Sequence, residues 1–421
     1  MVKLKNKIKI FIASIMPGIF IIGYNVGTGS VTSMSKAGAN FGFDLLWTLL
    51  LSCLMTWFLI LHFSKYTMVT GETFIQGVKK HIHPGLAMGM IIPLSAVIFA
   101  ALIGLLGVLA DVMQVWSATF MENEIASIWW AVIITGILYG LLWIGNFGFF
   151  EKVLALLVAI MGIAFILTMF INFPPPGELA KGFIPQIPES ALGSDNSPLV
   201  IIAGMVGTTV SVFAFIIRSQ VVKTIGWKMK DNAIQKRDAL VSVVLMFVIS
   251  AAVLITAATT LHVQGLKMNH VAEMIPLLEP LAGKAAITVF TLGILAAGIS
   301  SHLPNLLVIP WLIIDYRDEV QNTKTPRNRL ILFVLSLIAV LGVALKFKPV
   351  FLLLLSQASI AIILPVSIVS LFYLTSRKSV MGHETNKPVV KIILTLISLF
   401  SVYICLLGIK GVIGDIINFI S

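Results

Sequence analysis

Charge is what this sequence has least of. Only 11% of its 421 residues are charged and 58% are hydrophobic, and the mean hydropathy is +1.02. A soluble domain needs a much larger charged share to stay in solution, so that class is excluded. Cysteine is nearly absent. Cys53 and Cys405 are the two in the chain, each inside an apolar run, so neither a disulfide framework nor a zinc site is expected and both read as small buried hydrophobes. Catalytic signatures are missing as well: no HExxH, no GxSxG, no phosphate loop. The chain therefore reads as something other than an enzyme. Acidic residues avoid the middles of the apolar runs, with Asp44, Glu72, Asp111, Glu151 and Asp238 all near run ends.

Long apolar runs are present in number. A helix crossing the hydrocarbon core of a bilayer needs about 20 mostly apolar residues. Eleven such spans can be drawn: 8–38 (interrupted), 43–64, 86–112, 127–145, 150–172, 198–222 (interrupted), 238–262, 284–314, 328–346, 349–375 and 390–418. They are too long for barrel strands and lack period-two alternation, so the expected fold is an all-α polytopic membrane protein with no sizeable soluble domain. The Lys-rich start before Ile8 looks like a signal peptide. Pro17-Gly18 interrupts its apolar stretch and no small-residue cleavage site follows, so it is read as part of the first span.

Basic residues concentrate on alternate connections. With the N-terminus inside, 22 Lys and Arg fall in inside segments and seven (Lys36, Lys181, Lys267, Lys284, Lys346, Lys348 and Lys410) in outside ones. By the positive-inside rule this orients the chain in the cell membrane, N-terminus cytoplasmic and C-terminus outside. It also removes nucleic acid as the partner that a net charge of +11 otherwise suggests. Outside, 173–197 reads as an extended surface connection around its three prolines, and 265–279 as an interfacial helix. His62 and Arg218, toward inner span ends, read as snorkelling or loop-contacting residues. Glu151-Lys152 reads as a structural or gating turn, and Trp129, Trp130, Trp143 and Trp311 as interface or packing aromatics.

Two spans differ from the rest. Span 1 carries Gly23-Tyr24-Asn25-Val26-Gly27-Thr28-Gly29-Ser30 and span 6 carries Gly204-Met205-Val206-Gly207-Thr208-Thr209-Val210-Ser211. Glycine and β-branched threonine weaken a helix locally, which makes both segments candidates for unwinding at membrane depth. They lie five spans apart. That spacing suggests an inverted five-plus-five repeat, about 8–172 and 198–375, with one extra helix at about 390–418, all in a single domain 1–421. The competing reading is that the small residues only allow close helix packing.

Motifs spread along most of the chain resemble the Nramp (divalent metal transporter) family. They are Met16-Pro17-Gly18; Leu45-Leu46-Trp47 with Leu51-Ser52 and Val69-Thr70-Gly71; Ser250-Ala251-Ala252-Val253-Leu254-Ile255; Ala297-Gly298-Ile299-Ser300-Ser301; and Leu355-Ser356-Gln357 with Leu364-Pro365 and Met381-Gly382. The resemblance implies the fold of the bacterial leucine transporter, broken helices 1 and 6, and a metal held by Asp-Pro-Gly-Asn and Met-Pro-His motifs. Here those positions become Gly27, Thr28, Gly29, Ser30 and Ser211, Val212, Phe213. A second family histidine becomes Arg218, the acidic pair of helix 3 becomes Ile98 and Ala101, and the helix-10 glutamine stays as Gln357.

A bare transition-metal ion needs charged or soft ligands in place of its water, so no metal ligand set is expected. The centre offers instead the N-terminal ends of the second half-helices, after Ser30 and Ser211, which suit an anionic group. Asn25, Gly27, Thr28, Gly29, Ser30, Thr208, Thr209, Ser211, Phe213 and Gln357 are the candidate substrate site. Span 8 adds Ser300, Ser301, His302 and Asn305. Resemblance to transporters of this fold implies a sodium ion at the two serines, although hydroxyls bonded back to their own helix are the alternative. His302 is either a proton relay or a neutral interhelical partner. The expectation is a secondary importer coupled to Na+ or H+, with no other cofactor. Its cargo is a small organic acid, an amino-acid-like solute or a hydrated cation; a genuine metal transporter of Mg2+-like ions and an uncoupled channel are the alternatives.

Overall fold

A computed structural model describes residues 27–120, 124–144, 159–160, 162–188, 198–266, 268, 273, 286–319, 322 and 324–420. Among them every regular element is a helix. The main ones are α1 (Thr28–Phe41), α2 (Leu46–Thr70), the short α3 (Phe74–His81), α4 (Pro84–Ala118) and α5 (Ser127–Ile144). Next come α6 (Gly162–Ile171) and the short α7 (Pro176–Lys181), then α8 (Pro198–Thr209) and α9 (Val212–Ile225). The chain continues through α10 (Asn232–Ala257), extended by a π-helical turn at Ala258–His262, and then α11 (Ala286–Tyr316), α12 (Pro326–Ala344), α13 (Pro349–Ser376) and α14 (Pro388–Ile420). Spans 2 to 11 thus each contain a helix, span 5 only in its described part, and among the described residues eight helical stretches are long and apolar enough to cross a membrane.

Local chemistry explains the boundaries. α2 stops at Gly71, whose φ of 72° is the left-handed cap that glycine takes without a steric cost. α3 starts on a capping box in which Thr73 and Gln76 satisfy each other's backbone. α4, α12 and α13 each begin with a proline in the first turn, where its missing N–H costs nothing. The stretch 173–197, expected to be extended, instead contains α7, which opens on Pro176 with Glu178 in its first turn and Lys181 in its last. The expected interfacial helix at 265–279 and the Glu151-Lys152 turn lie largely or wholly outside the described residues.

The helices pack in two groups. α10 lies against α1 and α2, and α8 and α9 lie against α2, while α4 binds α5, α11 and α12 together. α13 touches both groups, and α14 packs on α13 and α8. The broken pair α8–α9 is the most interior, buried throughout its apolar stretch. α14 is the reverse, with Ile392, Leu396, Leu399 and Leu406 all about three-fifths exposed, as a lipid-facing surface requires.

Hydrogen bonds tie the connections into two opposite faces. On one, Lys65 pairs with Glu384, Lys79 with Asp318, and Lys223 bonds Gln76. The connections after α2, α9, α11 and α13 therefore share a basic side. At the α2–α3 corner there, burial pushes the Glu72 carboxyl up, but hydrogen bonds from Lys80, His81 and Tyr66 outweigh it and leave it below the ordinary range. On the other face, Trp47 bonds Gly182 and Gln186, and His262 Nδ1 lies 3.0 Å from the Ala39 carbonyl.

Two residues correct the sequence reading. Lys36, counted among outside segments, is buried inside α1 at 3% exposure. Arg218, expected to snorkel, is fully buried: its Nε donates to Ser64 Oγ at 2.9 Å and its Nη1 to Asp238. A buried guanidinium is tolerable because that carboxylate neutralises it.

A central polar cavity where the helix breaks meet

Span 6 is broken where expected. α8 ends at Thr209 and α9 begins at Val212, with extended backbone at Ser211 (ψ 118°). α1 likewise starts within the membrane, at Thr28, with Gly27 extended before it. This start precedes the expected one after Ser30, so Gly29 and Ser30 occupy the first turn. The first intrahelical bond of α1 is Val31 N–H to Gly27 O at 3.0 Å, and that of α9 is Phe215 N–H to Ser211 O at 3.3 Å. Neither helix has a side-chain cap at its N-terminus. Both helices therefore point their first-turn N–H groups and the positive ends of their dipoles toward the break, with no cap from Gly27 or Ser211.

A cavity of about 30 Å³ lies between these ends. It holds one or two water-sized groups. Gly27, Gly29 and Ser30 line it from α1, Thr208, Ser211 and Phe213 from the α8–α9 break, Gln357 from α13, and Ser301 and Asn305 from α11. Val97, Ile98, Ala101 and Leu105 of α4 and Ile360 of α13 form the apolar wall. Ile98 and Ala101 are the positions where the resemblance implies acids, and here they make the wall dry.

Glycines set the width of the site. The side-chain Nε2 of Gln357 lies 2.8 Å from where a Cβ on Gly29 would be, and a Cβ on Gly207 would collide with the Gln357 carbonyl. Gln357 is thus wedged between α1 and α8 by the absence of two side chains. Gly27 makes the same allowance for the Ser301 hydroxyl, which a Cβ there would overlap.

Other expected site residues point elsewhere. Thr28 Oγ1 is directed at Gly298 of α11 and has no hydrogen-bond partner among the described residues. Thr209 contributes its carbonyl to Thr56 Oγ1 at 2.7 Å. Ser300 Oγ donates back to Ala297 O at 2.9 Å, the helix-internal alternative, whereas Ser301 Oγ is buried, on the cavity and without a partner among the described residues. Asn305 Nδ2 donates to Ser301 O at 2.8 Å. His302 is fully buried away from the cavity lining, with neither ring nitrogen hydrogen-bonded among the described residues. Asn25 lies outside the described residues. Sequence reasoning passed over Asp315, Thr73 and Gln220, which form a buried cluster on the basic side; an Asp in the last turn of an apolar helix looks like an ordinary span end.

No three His, Cys, Asp or Glu side chains come together as a metal site among the described residues. Among the described residues the lining is neutral: hydroxyls, two amides, the N-terminal ends of α1 and α9 and the carbonyl end of α8.

The broken helices, the two packed groups and the lining at their junction are the architecture of a multi-pass membrane transporter. A family model described as natural resistance-associated macrophage protein-like matches residues 18–410, and the chain belongs to that family. It is 24% identical over 407 residues to a divalent metal cation transporter MntH of Caldanaerobacter subterraneus, covering 94% of this chain and 92% of the relative. A Listeria innocua MntH is 27% identical over 405 residues, covering 92% and 87%. Among solved structures, a manganese transporter of Eremococcus coleocola matches with a TM-score of 0.77 at 20% identity, over 98% of this chain and 88% of that one. Mhp1, a nucleobase-cation-symport-1 family transporter in a closed conformation with bromovinylhydantoin bound, matches with a TM-score of 0.60 at 13% identity, over 95% and 90%. The fold is therefore the one expected.

Proposed function

We propose that this transporter carries a small solute with an anionic group, such as a carboxylate, coupled to an inward flow of H+ or Na+. The basic side faces the cytoplasm of a cell membrane, by its excess of Lys and Arg. One observation carries the cargo reading: the uncapped N-termini of α1 and α9 meet at a neutral cavity. Each dipole end amounts to roughly half a positive charge, which favours an anion and opposes a bare cation. Hydroxyls at Ser30 and Ser211 and the Gln357 amide supply directional bonds, and the carbonyl end of α8 suits an ammonium or another donor on the same solute. A dication there has only neutral ligands, against a desolvation cost of many kcal/mol.

A second reading is a divalent cation that keeps part of its water. The relatives' names support it, and so does a cavity closer to the size of an ion than of an amino acid. Proteoliposome uptake separates the two. Small carboxylates or amino acids are expected to raise the melting temperature of the purified protein and to enter saturably, with uptake weakened at least tenfold by Ser211→Ala. Saturable Mn2+ or Mg2+ uptake that is lost on Gly27 or Ser211 substitution, without competition by carboxylates, would establish the metal reading instead.

A further inference from the structure

We propose that Asp315 carries the coupling proton, holding it while the basic side is closed and releasing it to water when that side opens. The proposal rests on the coupled-transport reading above and on the placement of the basic side in the cytoplasm.

Asp315 sits in the last turn of α11 at 6% exposure. Thr73 Oγ1, the cap of α3, lies 2.7 Å and 2.9 Å from its two oxygens. The Gln220 side chain of α9 is its other hydrogen-bond partner. No Lys, Arg or His forms an ion pair with it among the described residues. Of the charged groups nearby, Lys223 of α9 attracts the carboxylate from beyond ion-pair distance while bonding Gln76, Asp318 repels it, and Lys79 of α3 bonds the Tyr316 carbonyl and Asp318. Beside it, the Phe74 N–H of α3 donates a hydrogen bond to Ser219 Oγ of α9.

This carboxyl is thus clamped between the two packed groups, α11 on one side and α9 on the other, with α3 beneath. A buried carboxylate with no cation in direct contact is costly, and two neutral donors and the more distant Lys223 offset only part of that cost. Gln220 Oε1 is a buried acceptor with no donor among the described residues. A proton on Asp315 supplies such a donor once the amide is turned over. Closure therefore favours the protonated acid. Separating α9 from α11 admits water, stabilises the carboxylate and lets the proton leave on the inner side. Nothing oxidises or reduces; one O–H bond breaks and water takes the proton. Arg218 of α9, two residues before Gln220, differs in that its pair with Asp238 of α10 joins elements of one group and is already neutral.

The test reads opening directly and uses no cargo. In a Cys53→Ser, Cys405→Ser background, Ala214→Cys on α9 is alkylated by an impermeant maleimide in inside-out vesicles. After correction for the pH dependence of the thiol against an unfolded control, the labelling rate is expected to rise with pH, by up to about tenfold per pH unit, the limit for one proton. Asp315→Asn, a fixed analogue of the neutral acid, should label slowly at every pH, and Asp315→Glu should restore the response. Labelling of Asp315→Asn with the parent's pH response would overturn the proposal. Should the Asn variant fail to fold, Thr73→Val removes a donor that favours the carboxylate and should move the midpoint to higher pH; an unmoved midpoint also overturns it. A wrong cargo leaves all of these rates unchanged, so the two readings fail separately.

Discussion

Ser300 and Ser301 are adjacent in sequence and opposite in circumstance. Ser300 spends its hydroxyl on its own helix, while Ser301 leaves a buried hydroxyl facing Gly27 and the cavity. If a coupling ion or the cargo binds there, only Ser301 can reach it. Ser301→Ala is expected to raise the Na+ or substrate concentration needed for half-maximal uptake about tenfold, the loss of one good hydrogen bond in a dry site. Ser300→Ala should leave it within about twofold. Equal effects would show that the hydroxyls act through packing. Sequence listed both serines as equals, because periodicity does not say which of two neighbouring hydroxyls a helix keeps for itself. It was more informative about the glycines: Gly27, Gly29 and Gly207 stood out in apolar runs, and each proves to be a place where another group comes too close for a side chain.

α9 shows what an element adds to its residues. The break before it was legible from Gly207 to Ser211, since small and β-branched residues loosen a helix wherever they cluster. Its burial was not. Arg218 looks like a snorkelling end residue until the fold places Asp238 of α10 and Ser64 of α2 around it, twenty and more than a hundred residues away in the chain. Removing one charge leaves the other buried and alone, which costs about 3–5 kcal/mol, whereas replacing both with apolar residues is close to neutral. Arg218→Met and Asp238→Leu are each expected to lower the melting temperature in detergent sharply, and the double variant to recover most of it. No recovery would mean that the pair shapes the fold and does more than neutralise itself.

At the scale of the whole molecule, the apolar runs foretold where the described helices lie, because bilayer thickness and backbone satisfaction leave so little choice. The charge asymmetry foretold which connections share a face, and the ion pairs of Lys65 and Lys79 put those connections together. Which face is inside is a separate matter, and labelling decides it. Ser379→Cys, in the basic connection before α14, should react with an impermeant reagent only after cells are permeabilised. Glu178→Cys in α7 should react on intact cells. The opposite pattern would invert the orientation and, with it, the side on which Asp315 gives up its proton. The cluster around Asp315 was illegible for the same reason as the Arg218 pair: its members come from three helices far apart in sequence.

Helical register makes α9 intolerant of a kind of change that its surroundings accept. Ser211 opens it at the cavity, Arg218 meets one group of helices, and Gln220 meets the other. One residue inserted between Ser211 and Arg218 turns the rest of the helix by about 100°. Every partner on the basic side is then missed at once, although composition and hydropathy hardly change. Natural length variation in relatives should therefore gather in the connections and spare this half-helix.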